Sequence, residues 1–210
     1  MEPAAVVFSA SLAPEDQARA DFYALLARLY AAAPDAVLLS SIAGADEIVA
    51  DEGEPGGASL AKAWRDLQAA SAVMDPEAAA GEYLELFIGV GASEVSPYAT
   101  AYEKVPGREP LVEMRAALNR LGLSRTAGAT LYEDHLASVL ATMRVLITGV
   151  GAPHPVTVGQ QREFFSAHVD PWVISCCDAI IENAIANYYK RVAQFTKAFL
   201  AIERGSFAIE

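Results

Sequence analysis

Apolar positions recur at helical spacing almost from one end of this chain to the other. Phe22, Leu25, Leu26 and Leu29 fall at i, i+3, i+4 and i+7, one face of a helix that Pro14 and the acids after it open and Pro34 ends. A short helix is predicted over residues 35–43. DEGEPGGAS, residues 51–59, reads as a loop, followed by helices over 59–74 and 76–88 divided before Pro76. Leu111, Met114, Leu118 and Leu121 continue the spacing with Gly122 as a stop, and Leu136, Val139, Leu140, Met143 and Ile147 form another face. Two or three helices are predicted to close the chain, at about 157–168, 171–187 and 188–203, the last striped by Val192, Phe195, Phe199 and Ile202. No segment alternates with period two between hairpin turns, and no solenoid repeat appears. The expected fold class is all-α: a single multi-helix, bundle-like domain over 1–210 with about eight to nine helices, Gly/Pro-rich loops, and GVGAPHPVTVG (149–159) as a candidate hinge.

Charge narrows the partners. Fifteen basic against twenty-seven acidic side chains leave a formal net charge of -12, which repels nucleic acid and anionic membrane surfaces and suits a cationic partner. The opening MEPAAVVFSASLAPEDQ lacks the positive region of a secretory signal, and the longest uncharged stretch, Val145 to Gln161, is interrupted by glycines and prolines. No membrane insertion and a cytoplasmic location are therefore expected. Cys176 and Cys177 are adjacent and cannot close an ordinary bridge, so both are expected as packed thiols.

Several enzyme chemistries fail on spacing. Gly89 and Gly91 follow a predicted helix, where a dinucleotide site needs a strand, and no Gly-Lys-Ser/Thr follows them. His135, His154 and His168 have no companion at metal-ligand spacing, and no nucleophile elbow is present. The expectation is a protein that is not an enzyme, with no cofactor and no metal.

The segment YLELFIGVGASEVSPYATAY, residues 83–102, stands apart. Tyr83, Leu86 and Phe87 lie in the last turns of a helix, Tyr83 and Phe87 at i and i+4. Two glycines then let the chain leave sharply, and Pro97, Tyr98 and Tyr102 follow. Six acids and no base occupy residues 75–103. Two readings stand side by side: aromatic core beneath a solvated acidic face, or an apolar surface in an acidic frame that takes a positively charged peptide.

The order of motifs resembles the TorD/DmsD/NarJ family of chaperones for molybdopterin-containing oxidoreductases. Tyr83, Leu86, Phe87, Gly89, Pro97, Thr100 and Tyr102 are similar to that family's helix end and loop. YEDHLASVLATM (132–143) resembles its Asp-His-Leu helix start in Asp134, His135 and Leu136, although Leu131-Tyr132 stands where Glu-Pro is frequent. FFSAHVDPW (164–172) resembles its Phe-x-x-x-His-x-x-Pro-Trp step, and FYALLARLY its first helix. The resemblance implies a cytoplasmic chaperone that binds the twin-arginine leader and the apo-form of a molybdopterin oxidoreductase and assists cofactor insertion before export. It implies peptide-binding residues Tyr83, Leu86, Phe87, Pro97, Tyr98, Tyr102, Asp134 and His135, and a monomer or a domain-swapped dimer. The alternative is an all-α ligand-binding or adaptor domain without an export role. Local chemistry also predicts a capping box from Thr130 to Glu133, and Asp170 as N-cap of a helix with Pro171 at its first position.

Overall fold

Some helix ends in this protein are closed by neighbouring polar side chains, and others by side chains far away in sequence. The computed structural model describes residues 12–50, 56–104, 106–126 and 128–209. The readings made for residues 1–11 and 51–55 lie outside the described residues. Nine α-helices form among the described residues and no strand does. This is the all-α class that the spacing predicts.

Helix α1 (Pro14–Ala31) starts on a proline with Glu15 and Asp16 in its first turn. Its fully buried stripe is Tyr23, Leu26, Leu29 and Tyr30, with Phe22 and Leu25 at the margin rather than the centre. Helix α2 (Ala36–Ala43) is capped by Asp35, which accepts from the Leu38 amide at 2.8 Å. Helices α3 (Gly57–Val73) and α4 (Pro76–Tyr83) follow, with Asp75 accepting from the amides of Glu77 and Ala78. Helix α4 runs on into a π turn, Leu84–Ile88.

Helix α5 (Pro110–Arg120) ends before Gly122, whose φ of +70° and contact with Pro153 leave no room for a Cβ. Helix α6 spans Leu136–Thr148. The expected capping box is absent at its start: His135 is the N-cap, and Glu133 pairs instead with Arg115 at 3.1 Å. Helix α7 (Val158–Phe164) has a true capping box from Thr157 and Gln160, and continues as a second π turn, Phe165–Val169. Asp170 is not the cap expected of it. It closes that π turn and accepts from Arg204 at 2.6 Å, while α8 (Val173–Glu182) begins after Trp172. Asn183 turns the chain, so α8 stops at Glu182 rather than near 187, and α9 (Tyr188–Ile209) runs past its expected end.

Helix α1 packs along α6, α3 lies against α2 and α9, and α8 lies against α9. Between them Phe22, Trp64, Phe195 and Phe199 form one aromatic cluster, and Tyr30, Tyr83, Phe87 and Tyr189 another. A polar link ties α1 to the far end of α9. Buried Glu203 accepts from Arg19 at 2.7 and 3.0 Å and from the Tyr23 hydroxyl at 3.0 Å, so the carboxylate is fully paired. Burial, followed by that charge, holds the Tyr23 phenol well above its ordinary value.

The start of α9 is closed from α4. The Glu82 carboxylate accepts from the amides of Asn187, Tyr188 and Tyr189 at 2.9, 3.0 and 2.7 Å. Three orphan donors of the longest helix are thus met by one charged group. Glu82→Ala is expected to lower unfolding stability by about 2 kcal/mol, and Glu82→Gln by roughly half of that, read by urea denaturation at neutral pH.

Candidate functional site

Residues 83–102 divide into a buried part and a pinned loop. The Tyr83 hydroxyl donates to the carbonyls of Tyr30 and Ala31 at 3.3 and 3.0 Å, closing the end of α1. Leu86 has no accessible surface, and Phe87 packs on Tyr83 and Tyr189 with ring centres 5.3 and 5.0 Å apart. The π turn turns Leu86 and Phe87 inward and leaves Leu84, Ile88 and Val90 in solvent. Gly89 must be glycine: its φ is +66°, and a Cβ would lie 2.0 Å from the Ala92 carbonyl oxygen.

The loop then pairs with the start of α6. The Ala99 amide donates to Asp134 O at 3.0 Å and the Leu136 amide to Pro97 O at 2.8 Å, an antiparallel bridge between Tyr98 and His135. Pro97 is buried, and Tyr98 is half-buried with its ring edge-to-face on His135 at 4.8 Å. Asp134 is buried, its Oδ2 3.4 Å from the Thr100 amide. The Tyr102 hydroxyl donates to Ser96 O at 2.9 Å, and its ring stacks on Trp172. Cys176 donates to the same carbonyl, and burial pushes its thiol up to about 12.

The structure therefore brings together Pro97, Tyr98, Asp134 and His135, with Tyr102 on the same loop. It places Tyr83, Leu86 and Phe87 in the aromatic core. His135 has a defined structural role: its Nδ1 accepts from the Ala137 amide at 3.1 Å, so the ring is a neutral N-cap. Burial holds its pKa down at about 4.

Beside this junction lies an open cleft of about 530 Å³. Ala27 and Ala31 of α1 and Ala137, Ala141 and Val145 of α6 give it a floor of small side chains. Leu118 of α5, residues 123–126 and residues 129–131 with Glu133 form the opposite wall, where Arg125 lies over the Tyr132 ring at 5.5 Å. Ala31, whose carbonyl accepts from Tyr83, and Glu133, next to Asp134, connect the cleft to the residues singled out above. The floor was open to sequence reasoning. Residues 137, 138, 141, 142 and 145 repeat at helical spacing on the side of α6 away from its large apolar residues, and 27 and 31 do so on α1.

The model of the nitrate reductase delta subunit family matches residues 55–178, more than half of the chain. The chain belongs to that family. The match takes in α4, the bridge between loop and α6, and all of the cleft except its α1 wall. The chain is also similar in sequence to Chaperone protein TorD of Shewanella loihica, 25% identical over 202 residues covering 90% of this chain and 93% of the relative. Family membership agrees with the resemblance carried by the motifs. Among the described residues of this family member, no single helix is long and apolar enough to cross a membrane.

His135 sets a pH signature. Its folded value lies below its ordinary 6.5, so the unfolded chain takes up the proton first. The cap's stability is present in full above that value and is lost as pH falls toward about 4, at roughly 1.4 kcal/mol per pH unit. His135→Asn keeps an N-cap acceptor without a titrating ring. The difference between wild-type and variant stability, from denaturant unfolding at about pH 7, 6 and 5 (one-decade steps), is expected to shrink or reverse toward acid.

Proposed function

We propose that this protein is a cytoplasmic maturation chaperone for a molybdopterin oxidoreductase, without catalytic activity of its own. It binds the apo-enzyme and its twin-arginine leader, assists cofactor insertion and delays export until that is done. The observation that carries the reading is the cleft, whose walls fall almost wholly inside the family match. A floor of alanines lets a helical or extended apolar segment approach closely, and the groove needs no side chain of the partner to be charged. The acidic balance of the chain favours a partner whose apolar stretch is preceded by arginines.

The division of labour among the eight singled-out residues follows from burial. Asp134 and His135 shape the rim by holding the loop to α6, and Tyr98 and Tyr102 are the half-buried side chains beside them. Substituting Asp134 or His135 disturbs folding along with binding. Ala141 is a cleaner probe, being exposed on the cleft floor.

Ala141→Trp is expected to weaken binding of a synthetic twin-arginine leader by at least about ten-fold while leaving the melting temperature within roughly 2 °C of wild type. Fluorescence anisotropy with a labelled leader reads the first and thermal unfolding the second. Unchanged affinity in the variant would place the leader elsewhere on the molecule. A wild-type protein that ignores such leaders, and co-purifies with no molybdopterin enzyme, would leave the adaptor or ligand-binding reading in its place.

A further inference from the structure

A second, smaller cleft of about 190 Å³ lies between α5 and the α7 π-turn segment, remote in composition from the alanine-floored groove. Ala117, Leu121, Phe164 and Ala167 give it apolar walls. Its polar members are Arg120, Gln160, Glu163 and His168. His168 is only 9% exposed, tilted on the Phe164 ring at 5.1 Å, and its ring nitrogens form no hydrogen bond among the described residues. Its backbone is fixed: the carbonyl accepts from Trp172 Nε1 at 2.8 Å, and the residue sits inside the π turn Phe165–Val169. Its ring nitrogens are not sealed away, since the buried side-chain polar atom without a partner among the described residues is Glu103 Oε1, so the imidazole is open to a ligand in the cleft, and π turns recur at functional sites. Arg120, on the rim, forms no ion pair among the described residues, although the chain carries a large excess of acids.

We infer that this cleft binds a small monocarboxylate with an apolar body, its carboxylate held between Arg120 and His168. The guanidinium supplies charge and paired donors, and the imidazole supplies an N–H from the floor. The volume suits one aromatic ring or a branched chain, slightly more than the space that admits benzene in an apolar cavity (about 150 Å³). Glu163 also lacks an ion pair among the described residues. Its charge disfavours dianions such as phosphate and tolerates the ammonium group of an amino acid. Two sources share this chemistry: a free small acid, and the C-terminal carboxylate of a polypeptide. The site rests on its own residues and stands or falls separately from the chaperone reading.

Proton linkage supplies a second readout. Burial lowers the His168 pKa in the empty cleft, while Glu113, Arg120, Arg108 and Glu163 are the charged groups that act on it. A bound carboxylate favours the imidazolium, so binding takes up a proton and tightens as pH falls from 7.5 toward 6 (about thirty-fold in proton activity).

The test titrates the full chain, with its histidine rings isotopically labelled, with phenylacetate and with uncharged phenylacetamide. The same titration is run with N-acetyl-glycyl-phenylalanine as free acid and as amide. Each acid that fits is expected to shift the His168 resonances and to bind about ten-fold more tightly than its amide. Arg120→Gln, on the exposed rim, is expected to erase that preference, and His168→Gln to flatten the pH dependence. Binding of the dipeptide acid alone assigns the site to a chain end, and binding of phenylacetate assigns it to a free metabolite-sized acid. Equal affinity for acid and amide, no movement of His168 with any probe at millimolar concentration, or an Arg120→Gln protein that keeps the preference would overturn the inference.

Discussion

One carboxylate holds the middle of this sequence and its last described helix in register. Glu82 sits at the end of α4 and caps α9 more than a hundred residues later, so the longest helix begins where α4 allows it to begin. Tyr83, the next residue, closes the end of α1 through the carbonyls of Tyr30 and Ala31. Phe87 fills the space between them. Three helix termini thus meet at three residues of α4 and its π turn, Glu82, Tyr83 and Phe87. At the opposite end of α9, Glu203 fastens Arg19 and Tyr23 of α1. With α9 fixed to α1 at both ends, α6 packs along α1, and the alanine floor of the larger cleft is the line where those two helices leave a gap.

A second constraint follows from Gly89. Because that residue turns back on the Ala92 carbonyl, the loop re-enters the fold at Val95, whose amide donates to Leu86 O at 2.9 Å. The loop then reaches the α6 start as a bridge, placing Tyr98 on His135 and Tyr102 on Trp172. The cost of burying Asp134 and His135 is offset locally: one side chain meets the Thr100 amide and the other caps α6. The rim of the larger cleft is therefore set by backbone pairing, which tolerates side-chain change better than a rim of interlocking side chains would.

These constraints explain which parts of the structure were legible beforehand. Helical periodicity located α1, α5, α6 and the body of α9, because each buries one face that local spacing records, and loop and proline boundaries located α2, α3 and α4. Helix ends were less legible. Thr130 and Glu133 have capping spacing, yet the bridge to residues 97–99 delays the helix until Leu136, and Glu133 is drawn to Arg115. Asp170 has N-cap chemistry, yet Arg204 and the π turn claim it. Both errors have one cause: a tertiary partner outbid a local one, and windows of four residues carry no sign of it. The cap from Glu82 to α9 was invisible for the same reason. At the site, the aromatic residues of 83–102 drew notice through their rarity, whereas the cleft floor is alanine, a residue that stands out only once its helical face is drawn.

Helix α5 links the two clefts. Leu118 faces the larger one, and Ala117, Arg120 and the adjoining Leu121 line the smaller one, so one helix and its end contribute to both walls. Its principal packing partner is the 3-10 turn Ala99–Ala101, part of the same loop that the bridge ties to α6. At its far end Gly122 is wedged against Pro153, between α6 and α7. A helix held by a loop on one side and a proline contact on the other sets the width of both clefts at once, because each has part of its wall on it.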